Sequence, residues 1–306
     1  MNVARLSSST LTSASLPKQL HQRVPAQFLL VDPPLPMGPE PNSHTALMLH
    51  DGFGSVSGVV WPEWRSFVSV PSLPAAVDVD GFVHVYEGAL ELKVRSLEPL
   101  GPDVVHCASA LLPVTLCPKV ARQALTDLIE LEVSLSEPFS GFLRRVLLDP
   151  AIGIPLLSCR GSARHHHNFP GGLLVHSMHA VDLAAKLTRR FLPDDPESVP
   201  IAQLAYLLHD VGKLRSVGRS DPRPIGAYAM RHESANILLL APHLQWLEAR
   251  EPRYAHALMY VMDYLATPRE TRGPGKYLVA DIVAGLDCFS AASRNRRDLA
   301  NLVRAC

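Results

Sequence analysis

The chain has 306 residues, of which 47% are hydrophobic and 19% are charged, and its formal net charge is zero. A single hydrophobic core seldom grows beyond about 250 to 300 residues, so this length favours two domains. No apolar run reaches the roughly 18 residues that a membrane helix needs, which predicts a soluble protein without a membrane partner. The five cysteines are odd in number and lack paired spacing, which argues against a disulfide framework or a zinc knuckle and favours the reducing cytoplasm.

The first segment, residues 1–26, is rich in Ser, Thr and Leu and has no acidic residue. Its basic residues are Arg5, Lys18 and Arg23. A transit peptide and a frayed terminus can both have this composition, and we interpret the segment as a disordered tail.

Residues 27–117 are predicted to form a small antiparallel barrel or sandwich. Short runs with alternating apolar residues occur at Ser55–Trp61, Gly81–Tyr86 and Leu90–Arg95, and Gly and Pro separate them. Alternation with a period of two is typical of half-buried strands. Residues 27–118 contain ten acidic residues and three basic ones, a net charge of −7.

After Pro118 the hydrophobic residues follow a helical period. Residues 118–160 are predicted to be connecting helices, and residues 161–306 a helical bundle. Within the bundle we predict helices at 172–191, 200–214, 231–249, 253–266 and 276–291, with a last segment from Arg294. Residues 119–306 have 23 basic and 19 acidic residues, so a polyanion should meet this part more readily.

The adjacent residues His209-Asp210 offer a divalent metal an imidazole and a carboxylate together. His176 lies about one turn into the helix that follows Gly171-Gly172, where it can point toward a neighbouring helix. A single His on an apolar helix is usually a core residue. Its combination with the His-Asp pair favours a metal ligand.

Asp281 lies within the apolar run Leu278 to Val283. A buried carboxylate without a partner is costly, so Asp281 is predicted to be the fourth ligand. The ligand set His176, His209, Asp210 and Asp281 suits Mn, Fe, Co, Ni or Zn better than Mg or Ca. A metal held by these ligands and left open to water would give a metal-bound hydroxide near neutral pH.

Two motifs together resemble those of the HD-superfamily metal-dependent phosphohydrolases. They are His166-His167 through Gly171-Gly172-Leu173-Leu174 to His176-Ser177, and His209-Asp210-Val211-Gly212-Lys213. The resemblance is closest to the YhaM-type 3′-to-5′ exoribonucleases, and the HD domain of TraI/MobH-type relaxases is also similar.

This resemblance implies an α+β multidomain chain, with a small N-terminal antiparallel β-barrel of the OB type followed by an all-α HD-domain helical bundle. It implies a 3′-to-5′ exonuclease that acts on single-stranded RNA or DNA, and a homo-oligomer.

The sequence departs from this family at the second metal. The expected later histidine pair is absent near Val261-Met262. We therefore expect one tightly bound metal. A second metal would depend on Asp210 as a bridge, on His232, and on His256 or Asp263.

The acidic N-terminal region is the other departure. Single-stranded nucleic acid binds OB folds through basic grooves and exposed aromatic rings. These rings either stack on bases or fill the core, and they are Trp61, Trp64, Phe67, Phe82 and Tyr86. The region could instead bind a protein or cover the active site.

We assign further roles as hypotheses. Asp210 and Lys213 would be catalytic, and Lys213 would reach a nonbridging phosphoryl oxygen unless it is simply a solvated lysine at the helix end. His166 and His167 would bind phosphate or donate a proton to the leaving group. Arg164, Lys213 and His256 would bind the substrate.

Three alternatives remain open. The first is an HD-type nucleotidase or cyclic-nucleotide phosphohydrolase, which needs a closed pocket for one nucleotide. The second is a TraI-type DNA-processing protein of a conjugative element, which needs a nucleophile or large companion domains. The third is a non-catalytic HD-fold protein that binds a metal or a partner.

Overall fold

The structure is a computed structural model that describes residues 11–38, 43–164, 167–220 and 230–292. The architecture is α+β, as the sequence predicts. The chain divides into an N-terminal unit, Met1–Ile154, and a C-terminal unit, Pro155–Cys306. Residues 1–10 of the predicted tail, the candidate His166 and the helix predicted from Arg294 lie outside the described residues.

Within the described part of the N-terminal unit, six strands form one mixed sheet. They are β1 (Arg23–Leu30), β2 (Leu35–Pro36), β3 (Thr45–His50), β4 (Ser55–Val60), β5 (Ala75–Tyr86) and β6 (Ala89–Pro99). The three alternating runs in the sequence fall on β4, β5 and β6. Along most of β5, buried residues alternate with more exposed ones, as the period of two predicts.

The strands follow the order β1-β5-β6-β4-β3-β2, and β1 also pairs with β3. Five strands, in the order β1, β5, β6, β4 and β3, therefore form a closed circuit of pairings, because β3 pairs with β1. Strands β4 and β6 run parallel, so the expectation of a purely antiparallel sheet is wrong. Alternation identifies strands but not the direction of their partners, and a parallel partner requires a long connection. Residues 61–88, which include β5, provide that connection.

The described part of the predicted tail packs against the sheet. Leu16 lies in a short 3-10 helix, Leu16–Gln19, and is fully buried in the core of the sheet. The backbone and hydroxyl groups of Ser13 both donate to the buried carboxylate of Asp51. Strand β1 begins four residues before the predicted boundary at residue 27. Apolar burial and a satisfied carboxylate order this segment, and its Ser-rich composition does not reveal either.

Three of the five aromatic residues considered for stacking are exposed to solvent. Phe67 is 62% exposed, Tyr86 58% and Phe82 36%. Trp64 packs against the core of the sheet. The ammonium group of Lys93 lies 4.8 Å from the ring centroid of Trp61. Phe67, Phe82 and Tyr86 therefore do not fill the core of the sheet.

Three helices follow the sheet: α1 (Arg122–Ser134), α2 (Phe139–Leu148) and α3 (Gly153–Ser158). Buried Glu132 of α1 accepts hydrogen bonds from the backbone of Ala108 and from the backbone and hydroxyl of Ser109. These bonds satisfy a carboxylate that would otherwise be costly to bury.

The described C-terminal unit contains seven further helices. They are α4 (Gly172–Met178), α5 (Val181–Phe191), α6 (Ser198–Leu208), α7 (Lys213–Ser216), α8 (His232–Glu248), α9 (Pro252–Ala266) and α10 (Leu278–Ala292). The single helices predicted at 172–191 and 200–214 are each broken in two. No helix in the described ranges is both long and apolar enough to cross a bilayer.

Candidate metal centre

Four side chains from different parts of the C-terminal unit bring one ligand atom each to a common point. They are His176 in α4, His209 and Asp210 after α6, and Asp287 in α10, and we call them the His/Asp cluster. The Nε2 atom of His176 lies 3.2 Å from Nε2 of His209 and 3.0 Å from Oδ2 of Asp210. Oδ1 of Asp287 lies 3.4 Å from Nε2 of His209 and 3.7 Å from Nε2 of His176.

These separations fit one divalent transition metal. Metal bonds of about 2.0 to 2.2 Å in a tetrahedral arrangement place neighbouring ligand atoms about 3.3 to 3.6 Å apart. All four atoms lie within 4.8 Å of one another. Two imidazoles and two carboxylates form a donor set that suits Mn, Fe, Co, Ni or Zn. The residues present therefore fit the predicted metal.

Hydrogen bonds behind the cluster orient both imidazoles. Nδ1 of His209 lies 2.6 Å from the carbonyl oxygen of Tyr206, which can only accept, so Nδ1 carries the proton. Nδ1 of His176 lies 3.3 Å from the hydroxyl of Ser290 in α10. Nε2 of both rings is thereby directed toward the common point. Metal-binding histidines are usually oriented by such contacts.

A close approach of two backbones sets the position of the His-Asp pair. A Cβ atom on Gly212 would lie 1.9 Å from the carbonyl oxygen of His232, so this position requires glycine. The buried side chain of Asn236 in α8 accepts from the Gly212 amide and donates to the carbonyl of His209. Asn236 therefore fixes the turn that carries His209 and Asp210.

The upstream glycine pair acts in a similar way. A Cβ atom on Gly172 would lie 2.0 Å from the carbonyl oxygen of His167. This carbonyl also accepts a hydrogen bond of 2.9 Å from the backbone of Gly161. Glycine at position 172 thus lets the first residue of α4 pack directly against the backbone of His167. His176 follows one turn later.

Burial and charge have opposing effects on the cluster. Burial lowers the pKa of His176, which favours the neutral imidazole that a metal needs. Burial also opposes the charged form of His209, but the negative charges of Asp210 and Asp287 outweigh this effect, so the pKa of His209 is raised. Although burial opposes ionisation of Asp210, His209 and Lys213 hold its pKa well below the ordinary value. Asp210 is therefore a carboxylate at neutral pH.

The predicted fourth ligand is wrong. The Asp281 carboxylate accepts hydrogen bonds from the hydroxyl of Tyr264 and the backbone of Gly275, and it is not part of the His/Asp cluster. Asp287 takes this place. Asp281 and Asp287 lie six residues apart, which turns them about 120° from one another on a helix, so only one can face the histidines.

Two other predicted residues lie beside Asp210. The ammonium group of Lys213 forms an ion pair with Oδ2 of Asp210. Nε2 of His232, at the start of α8, lies 3.2 Å from Oδ1 of Asp210. Both line the same pocket as the cluster.

The remaining predicted residues lie elsewhere. The His167 ring packs beside His176, with the ring centroids 5.4 Å apart, but His167 does not line the pocket. Arg164 is exposed and is also absent from the pocket lining. Nε2 of His256 in α9 lies 2.8 Å from a carboxylate oxygen of Glu248, and His256 does not line the pocket, so its role in substrate binding stays a prediction.

The cluster lies in a pocket of about 290 Å³, whose lining contains basic side chains and, beyond the cluster itself, the carboxylate of Glu233. Its basic side chains are Lys213, Arg231, His232, Arg269 and Arg272. Arg231 donates to the carbonyl of Ala266, and Arg272 donates to the carbonyls of Leu265 and Thr267. These two arginines hold the end of α9 against the pocket.

Sequence reasoning missed Asp287, Arg269 and Arg272. Asp287 occupies the same apolar helix as Asp281, so a second carboxylate was visible in the pattern. The segment Thr267 to Arg272 follows the end of α9, and nothing in its composition indicates that it faces the cluster.

No family model matches the chain. The chain is similar in sequence to curated proteins named 3′-5′ exoribonuclease YhaM. It is 23% identical to the one from Bacillus velezensis over 171 residues, 22% to that of Bacillus subtilis over 171 residues and 25% to that of Shouchella clausii over 176 residues. Each match covers 56% of this chain and 52% of the relative. The chain thus spans about half the length of the curated relatives it matches. The resemblance to YhaM-type proteins is confirmed, whereas that to relaxases stays a prediction.

Matches among solved structures include two aminoacyl-tRNA synthetases. The aspartyl-tRNA synthetase from Entamoeba histolytica has 13% identity and a TM-score of 0.29, covering 63% of this chain and 39% of that one. The asparaginyl-tRNA synthetase from Pyrococcus horikoshii has 13% identity and a TM-score of 0.24, covering 89% and 69%. Likeness at these TM-scores supports no conclusion about fold or function.

Proposed function

We propose that the chain is a metal-dependent phosphodiester hydrolase that removes nucleotides from the 3′ end of single-stranded RNA or DNA. The observation that carries this proposal is the convergence of four atoms that could hold a metal ion, from His176, His209, Asp210 and Asp287, in a pocket that is also lined by lysine and arginine side chains. The similarity to proteins named 3′-5′ exoribonuclease supports the direction of cleavage.

We assign residues 161–306 to an HD domain, residues 118–160 to connecting helices and residues 27–117 to an OB-like barrel, whose first strand begins at Arg23. The pairing that returns from β3 to β1, with a single parallel pair, supports the barrel. Exposed Phe82 and Tyr86 of β5, together with exposed Phe67 at the end of a short 3-10 helix, support base stacking on this unit. Its charge of −7 opposes strong electrostatic binding of the backbone there.

A divalent metal bound to the His/Asp cluster would supply Lewis-acid polarisation of a phosphoryl oxygen. The ammonium group of Lys213 would bind a nonbridging oxygen of the same phosphate. His232 lines the pocket and lies 3.2 Å from Asp210, where it can donate a proton to the leaving 3′ oxygen. We prefer His232 to His167 for this role because His167 does not line the pocket.

We further propose one metal per chain. A second ion near Asp210 would have few further ligands. In the described ranges they are His232 and Glu233, and the Glu233 carboxylate already lies 3.4 Å from Nδ1 of His232. His256 is turned to Glu248 and contributes nothing to this site. The pocket volume is near the lower limit of about 300 Å³ for small-molecule sites, which suits one terminal nucleotide.

The test uses single strands of RNA and DNA with a 5′ label, the full chain and added Mn²⁺. We expect a ladder of products that shorten from the 3′ end. Asp287→Asn should abolish the ladder because it replaces the carboxylate proposed to ligate the metal with a neutral amide. Arg253→Gln is the matched control, since Arg253 forms an exposed ion pair with Glu197 and does not line the pocket.

Two results would contradict the proposal. Hydrolysis of mononucleotides or cyclic nucleotides with intact strands would identify a nucleotide phosphohydrolase instead. If the chain binds a metal ion but hydrolyses no nucleic acid and no nucleotide, it is a non-catalytic protein.

A further inference from the structure

Each carboxylate of the His/Asp cluster has a cationic partner, but the two partners use different oxygens. Lys213 pairs with Oδ2 of Asp210, the same oxygen that lies 3.0 Å from His176 and 3.4 Å from His209. Arg269 lies 3.3 Å from Oδ2 of Asp287, whereas Oδ1 of Asp287 faces the histidines. The ammonium group of Lys213 therefore contacts the Asp210 oxygen that faces the histidines. Arg269 contacts the Asp287 oxygen that faces away from them.

The charges explain why the position of Lys213 matters. The side chain of Asp210 is only 5% exposed, and a buried carboxylate needs a nearby positive charge. In the structure as it stands, the ammonium group of Lys213 provides that charge. A divalent cation bound to the same oxygen would replace it and repel it.

Arg269 has the opposite relationship to a metal. Its guanidinium holds Oδ2 of Asp287 and leaves Oδ1 directed at Nε2 of His209 and His176. A ligating carboxylate whose outer oxygen accepts a hydrogen bond is fixed in the orientation that a metal needs. The Arg269 side chain is 56% exposed, so this contact should contribute less than a buried one would.

We propose that Lys213 is a resident counter-ion that a divalent metal displaces from Asp210, and that Arg269 is a positioning residue that holds Asp287 for the metal. This inference rests on the proposed metal-dependent function. The displaced ammonium group lines the pocket and becomes available to a substrate phosphate. Metal binding thus switches Lys213 from a structural partner to a phosphate-binding one.

The test is a calorimetric titration of the full, EDTA-treated chain with Mn²⁺, without any substrate. Lys213→Gln should bind Mn²⁺ about tenfold more tightly than the original chain, because a nearby like charge has been removed. Lys213→Arg keeps that charge and should not tighten binding. Arg269→Gln should bind about tenfold more weakly, in the lower range for ligand-orienting residues. Arg253→Gln should match the original chain.

A second measurement uses the unaltered chain and therefore does not depend on whether the variants fold. Lysine acylation followed by mass spectrometry should label Lys213 slowly without metal and faster with saturating Mn²⁺. Lys186 is the internal control, because its side chain is 70% exposed and lies on α5. Labelling of Lys186 should not change.

Equal or weaker Mn²⁺ binding by Lys213→Gln, or labelling of Lys213 that Mn²⁺ leaves unchanged, would overturn the counter-ion role. Unchanged affinity in Arg269→Gln would overturn the positioning role. A chain that binds Mn²⁺ as expected but cleaves no nucleic acid would contradict the proposed nuclease function and leave this inference standing. A chain that binds no metal ion would overturn both.

Discussion

Asp281 and Asp287 share one helix, and their surroundings give them different roles. Asp281 accepts hydrogen bonds from Tyr264 and Gly275, which tie the segment before α10 to α9. Asp287 faces His176 and His209. Both aspartates are flanked by apolar residues in the sequence, and the rotation of α10 that chooses between them is set by packing. His209 and Asp210 are adjacent in sequence and His176 belongs to the upstream motif, so these three members of the cluster could be predicted, whereas the fourth member could not.

This difference gives a prediction at single residues. Asp287→Asn should weaken Mn²⁺ binding by more than the roughly 10- to 100-fold cost of losing an outer contact, since the proposed ligand itself loses its negative charge. Asp281→Asn should leave Mn²⁺ affinity unchanged and lower the free energy of unfolding by about 1 to 2 kcal/mol, because its hydrogen bonds are weakened. Calorimetry and urea denaturation measure the two effects. A loss of Mn²⁺ affinity in Asp281→Asn would show that Asp281 is a metal ligand after all.

The cysteines give a second residue-scale prediction. Burial and the charge of Glu132 raise the pKa of the Cys107 thiol to about 12, and burial raises the pKa of Cys159 to about 12. At pH 8 both thiols are therefore protonated and unreactive. Mass spectrometry after iodoacetamide treatment of the native chain should show alkylation of the more accessible Cys288 and protection of both buried thiols. Alkylation of Cys107 at the rate of Cys288 would contradict this.

At the scale of elements, the sequence predicts helices more reliably than their interruptions. The helix predicted at 200–214 is broken between α6 and α7, where His209 to Gly212 turn toward α8. Helical periodicity continues through this turn, so it does not mark the break. The cause is the contact of Gly212 with the backbone of His232, which lies twenty residues further along the chain.

Gly212→Ala tests that contact. The new methyl group would lie 1.9 Å from the carbonyl oxygen of His232, so α8 must move away. We expect a loss of about 3 kcal/mol or more in the free energy of unfolding, as for severe overpacking. The matched control is Gly285→Ala in α10, where nothing lies within 4 Å.

The control should stabilise the protein by about 0.5 to 1 kcal/mol, since alanine favours a helix. Urea denaturation measures both variants. Equal effects of the two substitutions would show that the contact is unimportant.

At the scale of the whole molecule, all four members of the His/Asp cluster belong to the C-terminal unit. The α+β class and the order of sheet before helices could be predicted, because alternation and helical periodicity are local signals. The parallel pair of β4 and β6 could not, since it depends on residues far apart in sequence.

Metal binding should therefore stabilise the C-terminal unit. At 100 times its dissociation constant, a ligand adds about 2.7 kcal/mol to the stability of the state that binds it. Trp246 lies in α8, so a fluorinated tryptophan at this position reports the unit by NMR during heating. We expect diamagnetic Zn²⁺ to raise the midpoint of the Trp246 transition and Asp287→Asn to remove the increase. The same increase in Asp287→Asn would place the stabilising ion elsewhere.

The return of strand pairing to β1 also has a consequence for biosynthesis. Strand β1 pairs along its whole length with β5, whose residues 75–86 are made about fifty positions later. At translation rates of about 5 to 20 residues per second, β1 waits roughly 3 to 10 s for this partner. During that interval its apolar residues, among them Phe28 and Leu30, lack most of their native cover. Chaperone demand and aggregation during synthesis should therefore concentrate on the first hundred residues.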